Sequence, residues 1–253
     1  MSTTPRLVGR RTILGVSFFS GPAADAIDLI RHGGLLVVPA APALKNINCD
    51  AGYRESLLAA DLALTDSALM VLVWNLLAHD SLYRLSGLEY MRALLRDDEV
   101  RETGNTLWIM ASPLSAATNF AFLAHEKIML DPQHIYMAPR YGNVVEDAVL
   151  LARIERLRPK HIIVTLGGGT QERLGLYLKE HLSFLPAIHC LGAAIAFLSG
   201  DQVHIPVWTD KLYLGWLARC LSEPRRFVPR YWGARKLVAL IVRYRAQLPP
   251  LKV

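Results

Sequence analysis

Six short apolar runs recur along the chain: Leu35 to Val38, Leu62 to Thr65, Leu107 to Met110, Ile135 to Met137, His161 to Leu166 and Ile188 to Leu191. None shows the polar/apolar alternation of a strand with one wet face, so each must be covered on both sides. Segments with helical spacing separate them, at about Ala23 to Arg31, Ala51 to Ala60, Ala68 to Ala78, Gly87 to Arg96, Ser115 to Lys127, Val144 to Leu157 and Thr170 to His181. Strands joined through helices run parallel, which predicts an α/β fold: a Rossmann-like, mostly parallel six-stranded sheet with helices on both faces. Ligands of such sheets bind beyond the carboxyl ends of the strands. The run Pro39-Ala40-Ala41-Pro42-Ala43 reads as a loop at one such end. A chain of 253 residues buries one full core. One α/β domain over residues 1–207 is expected, with a C-terminal helical, basic appendage over 208–253.

The run ending at Leu166 leads directly into Gly167-Gly168-Gly169-Thr170-Gln171-Glu172-Arg173. A strand, a glycine turn and a helix N-terminus allow a ligand to approach the backbone closely and offer N–H groups to an anion, so a phosphate or diphosphate is the natural guest. Gly167 and Gly168 would then touch it, with Gln171 and Glu172 beside the same crevice. The plainer reading is a tight turn with Thr170 as N-cap. The spacing is not G-x-G-x-x-G, and the glycines alone do not choose between these readings.

Asp66 follows the strand that ends at Thr65 and precedes the helix that begins near Ala68. The fold puts its carboxylate at the ligand edge, where it can act as a general base; equally, Asp66 or Ser67 can cap the helix. Tyr141-Gly142 stands beyond another strand end and is a further candidate for nucleotide contact.

Charge is unevenly distributed. From Trp208 onward there are ten Lys/Arg against two acids, a charge of +8, leaving 18 against 20, or −2, for residues 1–207. Basicity confined to the tail argues against a nucleic-acid binder and for a tail that meets another anionic surface. Its arginines and lysines are interleaved with Trp208, Tyr213, Trp216, Phe227, Tyr231, Trp232 and Tyr244, and Leu237, Val238, Leu240 and Ile241 form a short apolar stripe. That combination suits an anionic membrane surface; a helix pair packed on the sheet or a homo-oligomer contact stays open beside it. No apolar stretch reaches the eighteen or so residues of a span, and residues 1–11 lack the marks of a signal peptide, so a cytoplasmic location is expected. Cys49, Cys190 and Cys220 fit neither a disulfide framework nor a zinc site and read as small buried residues. His79, His181 and His204 read as surface or capping residues, and His189 as a core histidine. Asp97-Asp98-Glu99 lies in a polar turn after a helix and not at a strand end, so no metal and no cofactor is implied.

Several motifs fall in a telling order: Ala60-Asp61-Leu62-Ala63-Leu64-Thr65-Asp66, Arg84-Leu85-Ser86-Gly87-Leu88, the glycine turn through Glu172, Phe197-Leu198-Ser199-Gly200, Pro206-Val207-Trp208, Gly215-Trp216-Leu217-Ala218-Arg219 and Glu223-Pro224-Arg225-Arg226. Together they resemble the WecG/TagA/CpsF glycosyltransferases from about Ile13 to Arg245. The resemblance implies transfer of a sugar from a UDP-sugar donor to a polyprenyl-diphosphate-linked acceptor at the inner face of the bacterial membrane, in exopolysaccharide or another cell-surface polymer. It implies Asp66 as catalytic base, Arg84 and Gln171 as substrate contacts, and Arg219 and Arg226 as diphosphate contacts of an appendage that closes over the site, with Arg225 and Arg230 beside them. A single displacement with such a base inverts the anomeric centre, and without a D-x-D the expected reaction is a metal-independent hexosyl or N-acetylhexosaminyl transfer.

The chain departs from the family pattern where donor sugar and nucleotide should sit. Val38-Pro39-Ala40 replaces T-P-N, Asp66-Ser67 replaces D-G, Gly168-Gly169-Thr170 interrupts G-A-P-K-Q-E, and Ile195-Ala196 replaces F-D. Ala40 and Ala196 therefore keep open a non-catalytic nucleotide-sugar-binding scaffold at the membrane. An NAD-dependent oxidoreductase is disfavoured, because the first strand runs into Pro39-Ala40 and not into G-x-G-x-x-G.

Overall fold

A computed structural model describes residues 9–200, 220–221 and 224–252 of the chain. The boundary expected at 207/208, Arg219, His204 and the aromatics Trp208, Tyr213 and Trp216 lie outside the described residues.

Among the described residues eight strands form one sheet, two more than the six read from the sequence. They are β1 (Gly9–Ile13), β2 (Val16–Ser20), β3 (Gly34–Val37), β4 (Leu62–Leu64), β5 (Thr106–Met110), β6 (Ile135–Met137), β7 (His161–Val164) and β8 (Ala187–Cys190), in the order β1-β2-β4-β3-β8-β7-β5-β6. Only β1 is antiparallel, in a hairpin with β2. The other pairings are parallel. The additional pair is the N-terminal hairpin. Its two-residue turn has Leu14 at φ +52° and Gly15 at φ +80°, the left-handed pair that matches the twist of hairpin strands.

The helices are α1 (Ala23–Ile30), α2 (Ala41–Leu44), α3 (Ala51–Leu58), α4 (Ala68–Ala78), α5 (Gly87–Leu94), α6 (Asp98–Arg101), α7 (Pro113–His125), α8 (Ala148–Leu157), α9 (Thr170–His181), α10 (Ala194–Ser199), α11 (Pro224–Gly233) and α12 (Arg235–Tyr244). Helix α2 occupies part of the run expected to be a loop, with Pro42 in its first turn where its missing N–H costs nothing. Helix α8 starts at Ala148 and not at Val144, because the Asp147 side chain caps it through the N–H of Leu150 at 2.9 Å.

Alternate strand residues feed two cores. Leu35, Val37, Ile109, Ile162 and Ile188 pack under α3, α4, α8, α9 and α12, while Leu36, Trp108, Ile163 and Ala187 pack under α1, α5, α7 and α10. Helix α9 presses unusually close to the sheet, since a Cβ on Gly175 would stand 2.6 Å from Leu35 Cδ1 and 2.8 Å from Cys190 Sγ. The basic C-terminal helix shares the first core. Leu237 and Ile241 of α12 are fully buried, α12 packs on α4, and the chain beyond it hydrogen-bonds the hairpin turn through Leu14 N–H to Arg245 O and Gly15 N–H to Ala246 O.

His189 is a core histidine. Its Nδ1 is 3.0 Å from the Tyr90 hydroxyl and its Nε2 is 3.2 Å from His161 Nδ1. Burial lowers both histidine pKa values, that of His189 furthest. Of the cysteines only Cys190 is fully buried; Cys49 is exposed and Cys220 half-buried, which corrects the expectation of three buried thiols.

Candidate active site

The carboxyl ends of β3, β4, β5, β7 and β8 surround a cleft of about 320 Å³. Asp66, Arg84, Gly167, Gly168, Gln171 and Glu172, which come from three separate stretches of the chain, all line it.

Local hydrogen bonds decide what Asp66 does. The cap of α4 is Ser67, whose hydroxyl accepts the N–H of Met70 at 3.2 Å, so Asp66 is not needed for that task. Asp66 Oδ1 accepts the N–H of Gly87, the first residue of α5, at 2.9 Å, and its other oxygen accepts no hydrogen bond among the described residues. Thr65, at the end of β4, clamps the segment that carries Arg84. Its hydroxyl donates to Tyr83 O at 2.8 Å and accepts the N–H of Leu85 at 2.9 Å. Arg84 is thereby held against Asp66, with Nε donating to the Asp66 carbonyl at 2.7 Å and Nη2 standing 3.9 Å from Oδ1. The result is a half-buried carboxylate anchored by one oxygen, with a cation alongside.

The glycine turn separates into two functions. Gly169, at φ +94°, is the N-cap of α9, so the left-handed backbone requires a glycine there and Thr170 is not the cap. Gly167 and Gly168 are not at positive φ, and a Cβ on Gly167 would meet nothing within 4 Å. Neither backbone strain nor packing requires a glycine at 167; the bare backbone there borders the cleft.

Glu172 is fully buried and serves Gly169 and Gln171. Oε2 accepts the Gly169 N–H at 2.6 Å, which is the carboxylate half of a capping box, and Oε1 accepts Gln171 Nε2 at 3.2 Å. Burial pushes its pKa up to about 6, and the N–H donors around it limit the rise. Gln171 Oε1, buried in the cleft wall, has no hydrogen-bond partner among the described residues. A buried acceptor left in that state is costly unless a ligand or water donates to it.

A family model of glycosyl transferases, described as WecG/TagA/CpsF, matches residues 11–250, nearly the whole chain. The chain belongs to the WecG/TagA/CpsF glycosyltransferase family. No curated protein matches it. As a WecG/TagA/CpsF member it is a glycosyltransferase of cell-surface polymer synthesis, and its departures from the family pattern now have places. Ala40, Gly168, Ile195 and Ala196 all line the cleft, so the changes fall on its wall and not in distant loops.

Not every candidate converges. Arg225 is exposed on α11 and does not line the cleft; Arg219 and the side chains of Arg226 and Arg230 lie outside what the structure describes. Tyr141 is absent from the cleft wall. Its hydroxyl donates to Asp147 Oδ2 at 2.6 Å and is held away, and burial, with that carboxylate adding to it, raises its pKa. Sequence reasoning passed over Ser115 and Asn119 of α7, which line the cleft beyond β5. Asn119 is buried, its Oδ1 accepting from the Ser199 hydroxyl at 2.6 Å. The signal available was a polar residue on the apolar face of a helix that follows a strand end.

Proposed function

We propose that the protein transfers a hexosyl or N-acetylhexosaminyl group from a UDP-sugar to a polyprenyl-diphosphate-linked acceptor, with inversion and with Asp66 as the base. The observation that carries this reading is the convergence of the Asp66 carboxylate, the Arg84 guanidinium, the orphaned Gln171 Oε1 and the bare Gly167 backbone on one cleft. The displacement breaks the bond between the anomeric carbon and the diphosphate while the acceptor hydroxyl attacks from the other face. Asp66, anchored by one oxygen, has the other to take the hydroxyl proton. Arg84 and the N-terminus of α9 supply positive potential for the departing diphosphate. Gln171 Oε1 suits an N–H or O–H donor on the nucleotide or sugar. Basic residues of the C-terminal region, among them Arg219, Arg226 and their neighbours, complete the diphosphate site in this reading and hold the enzyme peripherally on the inner face of the cytoplasmic membrane, in exopolysaccharide or a related pathway.

No group of three or more His, Cys, Asp or Glu side chains placed to hold a metal ion occurs among the described residues. No helix of the described residues is long and apolar enough to cross a membrane. Ala40 and Ala196 on the cleft wall support one alternative, a nucleotide-sugar-binding scaffold without turnover.

The test is thermal shift with UDP, NAD and a panel of UDP-sugars with and without EDTA, followed by UDP release with a lipid-linked acceptor. A shift with UDP or one UDP-sugar that survives EDTA is expected. Asp66→Asn is expected to retain it while lowering turnover by about 10²- to 10⁴-fold. Binding without any turnover across donors and acceptors identifies the scaffold, and unchanged turnover in Asp66→Asn removes Asp66 as the base.

A further inference from the structure

Helix α4 carries far more apolar surface than the protein covers. Its eleven residues, Ala-Leu-Met-Val-Leu-Val-Trp-Asn-Leu-Leu-Ala, include no charge. Only Met70 and Val71 are fully buried, while Leu72 is 56% and Leu76 76% exposed. These two leucines are four residues apart and stand on one outer side of the helix. A surface helix ordinarily turns a polar face outward.

The neighbour of this stripe is cationic. Helix α12 packs along α4, both burying their inner sides in the same core, so their outer sides belong to one surface. Arg235, Lys236 and Arg243 of α12 are exposed, as is Val242 between them. Trp232, at the end of α11, is 66% exposed with the Arg235 guanidinium 4.6 Å from its ring centroid. Residues 224–245 hold seven Lys/Arg and no acid.

We infer that the outer side of α4, together with α12, is a docking face for an anionic bilayer, in which Leu72 and Leu76 enter the headgroup–acyl boundary and the cations of α12 meet the lipid phosphates. The combination of exposed aliphatic side chains, an interfacial tryptophan and exposed cations is what such a boundary rewards. A second copy of the chain is a poor occupant, since the face would set its own cations against themselves, and α4, α11 and α12 carry no acid to receive them. Nucleic acid would meet the cations but leave the leucine stripe without a partner.

The face also connects to the cleft. Helix α4 begins two residues after Asp66, and α2, which carries the cleft residue Ala43 and is preceded by the cleft residue Ala40, packs against both α4 and α11. Seating α4 on the membrane therefore brings the cleft mouth to the level of lipid headgroups, where the diphosphate of a lipid-linked acceptor lies. The inference rests on the membrane part of the function proposed above and adds that the body of the catalytic domain, through α4, makes the apolar contact.

The test is flotation of the full chain with vesicles of phosphatidylcholine alone and of phosphatidylcholine mixed with phosphatidylglycerol, at low and high salt. The wild type should float with the mixed vesicles in a salt-sensitive way. Leu72→Gln/Leu76→Gln, at two exposed positions, should lower partitioning by at least about tenfold while leaving the melting curve and the UDP-sugar thermal shift unchanged. Arg235→Gln/Lys236→Gln/Arg243→Gln should reduce binding separately and weaken its salt dependence. Equal flotation of the leucine variant and the wild type, equal binding to neutral vesicles, or no flotation of the wild type would each overturn the inference. A change in sedimentation mass caused by the leucine variant, without a change in flotation, would assign the face to a second copy instead. The two proposals fail separately: leucine-dependent flotation of a chain that binds no UDP-sugar leaves this one standing and sinks the transferase.

Discussion

Replacing Glu172 by glutamine tests how the cleft wall is held, and its effect has a sign that can be worked out in advance. The carboxyl is fully buried, and burial raises its pKa from 4.5 to about 6 against the pull of the Gly169 N–H, its own backbone N–H and the Gln171 amide. For an acid whose folded pKa lies above the unfolded value, the folded state binds the proton more tightly. Its stabilising contribution is therefore complete below the unfolded pKa of 4.5 and is lost as pH rises through about 6. A shift of about one and a half units corresponds to about 2 kcal/mol. Glutamine mimics the protonated acid, and its carbonyl can still accept the Gly169 N–H, so Glu172→Gln should abolish this pH dependence without emptying the site. Urea unfolding of both proteins across this range should show the wild type losing about 2 kcal/mol relative to the variant on going from acid to neutral pH. Parallel stability curves would refute the account, because they would mean that Glu172 ionises as freely in the fold as in the unfolded chain.

Three further outcomes follow from the geometry. Thr65→Val removes the hydroxyl that clamps Tyr83 O and Leu85 N–H, so unfolding free energy should drop by about 1–3 kcal/mol and UDP-sugar affinity should fall as Arg84 loosens; a stability loss with donor binding unchanged would separate the clamp from the site. Leu237→Ala should cost about 2–5 kcal/mol and lower the main calorimetric transition, whereas an independent tail would leave that transition unmoved. Burial holds the folded pKa values of His161 and His189 below that of an ordinary histidine, so the stability of their neutral, buried forms is present above the ordinary histidine pKa and lost as pH falls beneath it. A His189→Gln variant should therefore show a flatter acid limb in the same urea series, and an unchanged limb would count against the buried pair.

The parts legible in the sequence are those fixed by burial on two sides. Strands β3 to β8 stand out as apolar runs because helices cover both of their faces, as the alternation of Leu35 and Leu36 between the two cores shows. The β1–β2 hairpin was not legible, because edge strand β1 exposes Arg10, Arg11 and Thr12 and its turn is Leu14-Gly15 in place of an Asn-Gly pair. Strand-end loops gave away Asp66 and the glycine turn by position alone. Ser115 and Asn119 could not be found this way, since a polar residue inside a helix faces a site only through tertiary placement. Tyr141 was a strand-end candidate of the same kind as Asp66, but Asp147 captures its hydroxyl six residues on, a local competition that sequence spacing does not rank.

The same limit explains why the docking face was half visible. Reading the tail alone gives cations and aromatics without a wide apolar side; reading α4 alone gives a helix that passes for an ordinary core element. The fold joins them. Leu237 and Ile241 anchor α12 in the core it shares with α4, while Leu72 and Leu76 of α4 remain exposed. Positive charge that is absent from residues 1–207, at −2, is supplied by a tail at +8, and α12 of that tail packs against α4, the most apolar helix of the domain. On the proposal made above, neither half would suffice. Cations alone hold a protein near headgroups only as long as salt allows, and two leucines without cations bury too little surface to hold it there. Their juxtaposition beside the Asp66 cleft would bind the enzyme and orient it in one contact.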